Sequence, residues 1–282
     1  GMGFPGWHIE CSAMSEKYLG KKFDIHGGGM DLAATHHTNE IAQSQACYHT
    51  SPANYWMHTN MLTVNGTRMS KSLGNGFLPE ELFTGNHPLL EKAYPPVVVR
   101  FFMLQTHYRS TLDFSNEALQ ASEKGLKRLW DAYETLKKLA IDNKKLASDA
   151  ELDAKVNKLV NEFDEFMNDD FNTAKVLGNM FELVPVINSI KDGLINADAV
   201  SPATLALLQQ KFKAYLEDVF GLKNTASESG KLDEVMSLLV EIRKEARAKR
   251  DFATSDKIRN QLASIGISLK DEKGGEMSWD VN

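Results

Sequence analysis

The chain has 282 residues, 42% of them hydrophobic, a formal net charge of -6 and two cysteines. That length supports two or more domains with real cores and excludes a disulfide-framework protein. No apolar run reaches the ~18 residues of a membrane span, and the first residues lack the basic-then-apolar layout of a signal peptide, so a cytoplasmic chain with no membrane partner is expected. The negative charge argues against an extended nucleic-acid surface and leaves room for a local basic patch.

The first sixty residues mix short apolar stretches with loops. Phe23-Asp24-Ile25-His26 reads as a buried strand running into a turn at Gly27-Gly28-Gly29, and residues 31 to 48 read as the following helix. Strand, glycine turn and helix together are the arrangement that places nucleotides at strand ends in open α/β sheets. Asp31 is an acceptor for sugar hydroxyls, and the glycines let backbone approach a ligand closely. Cys11, His36 and Glu40 are donors that suit Zn²⁺, with His36 and Glu40 four apart on one helical face. The set is one short of the usual four protein ligands. A buried small Cys and surface histidines are the plain alternative, and His37 could stand in for His36. Cys47 is expected to pack.

Met61-Leu62-Thr63-Val64 and Thr67-Arg68-Met69 flank Asn65-Gly66, a strong hairpin signal. Val97 to Leu104 is an apolar run that reads as a buried helix or strand. From Asn116 the texture is helical: Leu119, Leu126, Leu129, Trp130, Tyr133 and Leu136 share one face. Ser148 with Glu151 fits a capping box for a second helix. A third starts at Asp170-Phe171-Asn172-Thr173, with a kink or break expected at Pro185. Ser201-Pro202 caps a fourth that stops at Gly221. These make a bundle. Residues 223 to 230 read as a flexible linker, followed by helices from Leu232 to Ala248 and Ala253 to Ile265. A hairpin of Ile267-Ser268-Leu269, a turn at 273–276 and Met277-Ser278-Trp279 ends the chain. Arg243, Arg247 and Arg250 recur at helical spacing as the best basic patch; a solvated face interleaved with Glu241 and Glu245 is its plain alternative. Trp279 could stack on a base or close a small core, and the core reading is preferred.

Arg68-Met69-Ser70-Lys71-Ser72 resembles the Lys-Met-Ser-Lys-Ser signature of class I aminoacyl-tRNA synthetases. With Pro5 to Ser12 and His36-His37-Thr38-Asn39-Glu40-Ile41-Ala42-Gln43-Ser44, the resemblance is to the cysteinyl-tRNA synthetase family and runs through essentially the whole chain. Arg68 stands where the family has Lys, and Thr38 where it has Glu. The family's His-Ile-Gly-His signature and an early zinc-ligand Cys do not occur, so the chain is expected to be the C-terminal portion of such an enzyme.

The fold implied is α/β, a partial Rossmann-like nucleotide-binding domain, followed by a mainly α helical bundle and a small helix-rich C-terminal domain with a terminal hairpin. The expected boundaries are 1–60, 61–115, 116–222 and 223–282. The activity implied is ATP-dependent activation of cysteine to cysteinyl-adenylate and transfer to tRNA(Cys), with Mg²⁺ accompanying ATP and little activity from this chain alone. By resemblance Lys71 is catalytic; Gly27, Gly28, Gly29, Asp31, Arg68, Met69, Ser70, Lys71 and Ser72 contact ATP. Trp7 and His26 line the substrate pocket, Cys11, His36 and Glu40 hold zinc, and Arg243, Arg247 and Arg250 contact tRNA. A monomer is expected. Two other readings are a non-catalytic tRNA-binding module and a ligase joining cysteine to an amino-sugar.

Overall fold

A computed structural model describes residues 3, 5–140, 147–224, 226–271 and 277–281. The chain divides into two compact units, Gly1–Leu222 and Lys223–Asn282. It is mixed α/β at the start, with small sheets, and mainly helical afterwards. Among the described residues no helix is long and apolar enough to cross a membrane.

The first unit opens with α1 (Trp7–Leu19), β1 (Phe23–Gly29), α2 (Met30–Leu32), a π-helical turn (Ala33–His37), α3 (Thr38–Tyr48) and β2 (Ala53–Thr59). β1 and β2 pair in parallel, with Gly27 opposite Met57, Gly28 opposite His58 and Gly29 opposite Thr59. The glycine run is therefore the end of a strand and not the turn read from the sequence: ladder bonds to β2 hold it extended. The expected helix over 31–48 is present and contains the π turn.

β3 (Leu62–Val64) and β4 (Thr67–Arg68) form the expected antiparallel hairpin. Asn65 and Gly66 both have positive φ, 49° and 73°, the signature of the two-residue turn whose twist matches the strands. β3 also pairs in parallel with β5 (Leu112–Phe114). Asp113 on β5 accepts from Thr63 Oγ1 at 2.6 Å and from the Gly66 N–H at 2.8 Å, pinning the turn. Between them lie α4 (Pro79–Thr84) and α5 (Pro96–Leu104), the latter burying Val98, Val99, Phe101 and Phe102.

The bundle consists of α6 (Asn116–Leu136), α7 (Ala150–Asn168), α8 (Thr173–Lys191) and α9 (Pro202–Lys213), the last continued by a π-helical turn, Ala214–Val219. Their inward stripes join Val64, Tyr94 and Phe114 in one apolar core. Ser115, Asn172 and Ser201 accept from the N–H three residues on, satisfying first-turn donors. The second helix is capped by Asp149, one residue beyond the expected Ser148, which instead donates to Asp198. α8 runs through Pro185 unbroken: Pro185 is exposed, so the bond it cannot donate is lost on the wet side, while Val184, Val186 and Ile187 remain buried.

The second unit contains α10 (Ala226–Ala248), α11 (Phe252–Ser264) and the antiparallel pair β6 (Ile267–Asp271) and β7 (Met277–Val281). α10 begins at Ala226, so most of the stretch read as a linker is helix. The turn expected at 273–276 lies outside the described residues. Met236, Leu262 and Ile267 form the core, and Trp279 packs against it.

Candidate metal and nucleotide site

α1 packs on α3, and its 3.6-residue period puts Trp7, His8 and Cys11 on the side facing the π turn. His8 Nδ1 lies 2.7 Å from His36 Nδ1, the Trp7 ring is 4.4 Å from the His36 ring, and Ser12 donates to Gln43 at 2.6 Å. The wide π turn lets two consecutive residues, His36 and His37, both turn inward, at 4% and 3% exposure.

Glu40, 2% exposed, is the centre of the site. Its Oε2 is 2.9 Å from His26 Nε2 and 3.7 Å from His36 Nε2. Donor atoms of Cys11, His36 and Glu40 lie within 4.8 Å of one another, and so do those of His26, His37 and Glu40. Burial, and secondarily the nearby Glu40 carboxylate, push the Cys11 thiol up from its ordinary range. Burial, and then the His26 charge, push His37 down. Both effects favour neutral groups, a state that a cation at the donor atoms would reverse for the thiol.

The sequence reading brought Cys11, His26, His36, Glu40 and Trp7 to this place. It missed His8 and His58, the latter 2.8 Å from His37 Nδ1, and the ring of Trp56 against His26 and His37. His8 stands on α1 between Trp7 and Cys11, where its place next to the candidate ligand was the available signal; Trp56 and His58 come from β2, and only the β1–β2 register, His26 opposite Trp56 and Gly28 opposite His58, could have flagged them. Gly28 sits directly under His37: a Cβ there would meet His37 Cε1 at 2.9 Å. Cys47 does not pack as expected; it is exposed on α3.

Gly27, Gly28 and Gly29 also line a cavity of about 790 Å³ with Asn60, Leu62 and Tyr108. Asp31 is exposed, its carboxylate folded back across Gly29. Arg68 ends β4, opposite Thr63 in the hairpin, Ser70 and Ser72 lie on the segment that follows it, and Met69 packs against the core. Asn75, 8% exposed, accepts from the Ser70 N–H at 2.8 Å and donates to Arg68 O at 3.2 Å, closing that loop. Lys71 begins a 3₁₀ turn, Lys71–Leu73.

Residues 1–124 match the model of the tRNA synthetases class I (C) catalytic domain, and residues 162–224 that of the DALR domain. The chain is 49% identical over 284 residues to the cysteine–tRNA ligase of Parabacteroides distasonis, covering 99% of this chain and 56% of that protein. It is 48% identical to that of Bacteroides thetaiotaomicron, with the same coverage. The first segment thus matches a class I tRNA synthetase catalytic domain, and the relatives the chain resembles are cysteine–tRNA ligases. It spans about half the length of the curated relatives it matches. The segment matched by the synthetase catalytic model contains the histidine cluster, the glycine strand end and the hairpin loop together.

The basic patch does not survive as read. Met236, Leu239, Arg243 and Ala246 fall on the inward stripe of α10, and Arg243 is 1% exposed. Arg247 and Arg250 are exposed.

Proposed function

We propose that this chain serves an ATP-dependent cysteine–tRNA ligase. The cysteine carboxylate attacks the α-phosphorus of ATP, pyrophosphate leaves, and a tRNA(Cys) 3′-terminal ribose hydroxyl then displaces AMP from cysteinyl-adenylate. The observation that carries this reading is the meeting of Cys11, His36 and Glu40 in one partly enclosed cluster inside a synthetase catalytic segment.

These donors fit Zn²⁺. Ligand bonds of about 2.0–2.3 Å require donor atoms roughly 3.3–3.8 Å apart in a tetrahedron, a small contraction from the 4.8 Å span within which the donors lie. Cys11, His36 and Glu40 would hold the ion, whose contribution when bound is thiol-selective Lewis acidity, since a thiol yields its proton to such a cation far more readily than a hydroxyl does. A contrast of that kind rejects serine without an editing site. His26, bonded to Glu40, orients that carboxylate and with Trp7 lines the amino-acid pocket.

The parallel β1–β2 pair with its connecting helix is read as part of a Rossmann-like nucleotide fold. Gly27 to Gly29 offer bare backbone to the adenosine, and the Asp31 carboxylate accepts ribose hydroxyls. Arg68, Met69, Ser70, Lys71 and Ser72 form the phosphate loop, with Lys71 balancing charge as pyrophosphate leaves; Mg²⁺ would accompany the triphosphate. Arg68 supplies a planar fork in place of a compact ammonium. Arg247 and Arg250 contact tRNA phosphates. The relatives' additional length supports the view that the 282 residues alone carry little of the activation step.

Calorimetric titration tests this reading. The chain takes up Zn²⁺ in a form that chelators remove, cysteine then binds and serine does not, and Cys11→Ala abolishes both. Failure to take up zinc with all three donors intact, or equal binding of serine, overturns it.

A further inference from the structure

Asp170 and Phe171, at the corner between α7 and α8, are consecutive non-glycine residues with φ of 63° and 53°. L-residues avoid that region, and a pair of them persists only where the surroundings over-determine it. Here the surroundings are the loop from His107 to Ser110. Tyr108 OH donates to Asp170 Oδ1 at 2.5 Å, and Arg109 Nε reaches Asp170 Oδ2 at 2.6 Å. His107 Nδ1 accepts from the Arg109 N–H at 3.2 Å, which fixes the proton on Nε2, and Nε2 donates to the Asp170 carbonyl at 3.1 Å. The Tyr108 hydrogen bond, and then Arg109, hold the Asp170 carboxyl below its ordinary range.

The other side of the same loop grips the hairpin. The Tyr108 carbonyl accepts from the Asn60 N–H at 3.0 Å, and the Arg109 carbonyl accepts from Asn60 Nδ2 at 2.8 Å. Asn60 Oδ1 accepts from the Met61 N–H at 2.7 Å, and Met61 O accepts from the Leu112 N–H at 3.2 Å, where the β3–β5 ladder begins. An unbroken series of directional bonds thus joins a strained bundle corner to the strands that carry Arg68 to Ser72.

We propose that this corner is a latch: Asp170, through Tyr108 and Arg109, fixes the placement of the hairpin, so that the bundle positions the phosphate loop. Asp170, Tyr108 and Arg109 are positioning residues. The functional half rests on the reading of Arg68 to Ser72 given above; the mechanical half does not.

Hydrogen exchange on the whole chain tests it at the Asn60, Asn65 and Leu112 amides. Asp170→Asn keeps a residue that tolerates positive φ and removes the charge; Arg109→Ala alters an exposed side chain and keeps the fold. Both are expected to speed exchange at those amides about tenfold or more. Asp164→Asn, elsewhere in the bundle, is expected to lower the melting temperature without doing so. Unchanged exchange in Asp170→Asn and Arg109→Ala, or the same acceleration in Asp164→Asn, overturns the latch. A separate arm adds ATP and Mg²⁺ to the unaltered chain: absence of protection at the Leu73 amide removes the phosphate-loop reading and leaves the latch standing.

Discussion

His26 Nε2 lies 2.9 Å from Glu40 Oε2, and the same oxygen is 3.7 Å from His36 Nε2. One carboxylate therefore orders two imidazoles from different elements, β1 and the π turn. Glu40→Gln keeps the shape and removes the charge. Loss of orienting partners alone costs about 10–100-fold in metal affinity, so removal of a donor is expected to weaken zinc binding by about 100-fold or more, read by competition with a chelating dye.

Gly28→Ala places a methyl 2.9 Å from His37 Cε1 and 3.0 Å from Leu32 Cδ1. Overpacking of this kind costs about 1–3 kcal/mol. Urea unfolding should show a lower midpoint at unchanged slope, and the hydrogen bond between His37 and His58 should disappear from imidazole NMR spectra.

Phe163 is fully buried within the bundle core. Phe163→Ala is expected to cost about 3–5 kcal/mol, measured by denaturant titration.

Asp164 accepts from Tyr215 OH at 2.6 Å and pairs with Lys211. Lys211 first, and the tyrosine hydroxyl next, hold its carboxyl below the ordinary range. A depressed carboxylate contributes stability that is present above the unfolded value, about 3.9, and is lost as pH falls through the folded one. The stability difference between the parent chain and Asp164→Asn should thus be full at neutral pH and shrink on acidification below about pH 4. A difference that grows on acidification would contradict the assignment.

In the terminal unit, Arg243→Ala is expected to lower thermal stability, because that side chain lies in the interior. Arg247→Ala and Arg250→Ala should leave stability unchanged and weaken tRNA binding. Each should also reduce the salt dependence of binding by about one unit of log–log slope, because one phosphate fewer is neutralised. Filter binding across a salt series separates the two effects.

Much of this was legible from local signals. Asn65-Gly66 carries its own turn geometry, Ser201-Pro202 its own cap, and the Leu119 to Leu136 stripe its own face, because each is decided within one or two turns of chain. The donors Cys11, His36 and Glu40 were legible as chemistry. The sequence did not disclose that Gly27 to Gly29 continue a strand, since their partners lie thirty residues away on β2. The π turn that seats His36 and His37 together, and the arrival of His8 and His58, are likewise tertiary outcomes. Arg243 was misread because charge was weighed above position: Met236, Leu239 and Ala246 define the inward face, and Arg243 falls on it. The same preference for composition over packing turned the polar start of α10 into a linker.

Asn75 ties both ends of the segment from Arg68 to Asn75 through a single side-chain amide, with Met69 rooted in the apolar interior. A stretch fastened that way travels as one rigid plate. Whatever seizes any of its outward groups moves all of them at once, and an Asp in place of Asn75, which can accept but not donate when ionised, would free one corner of the plate and leave the other fastened.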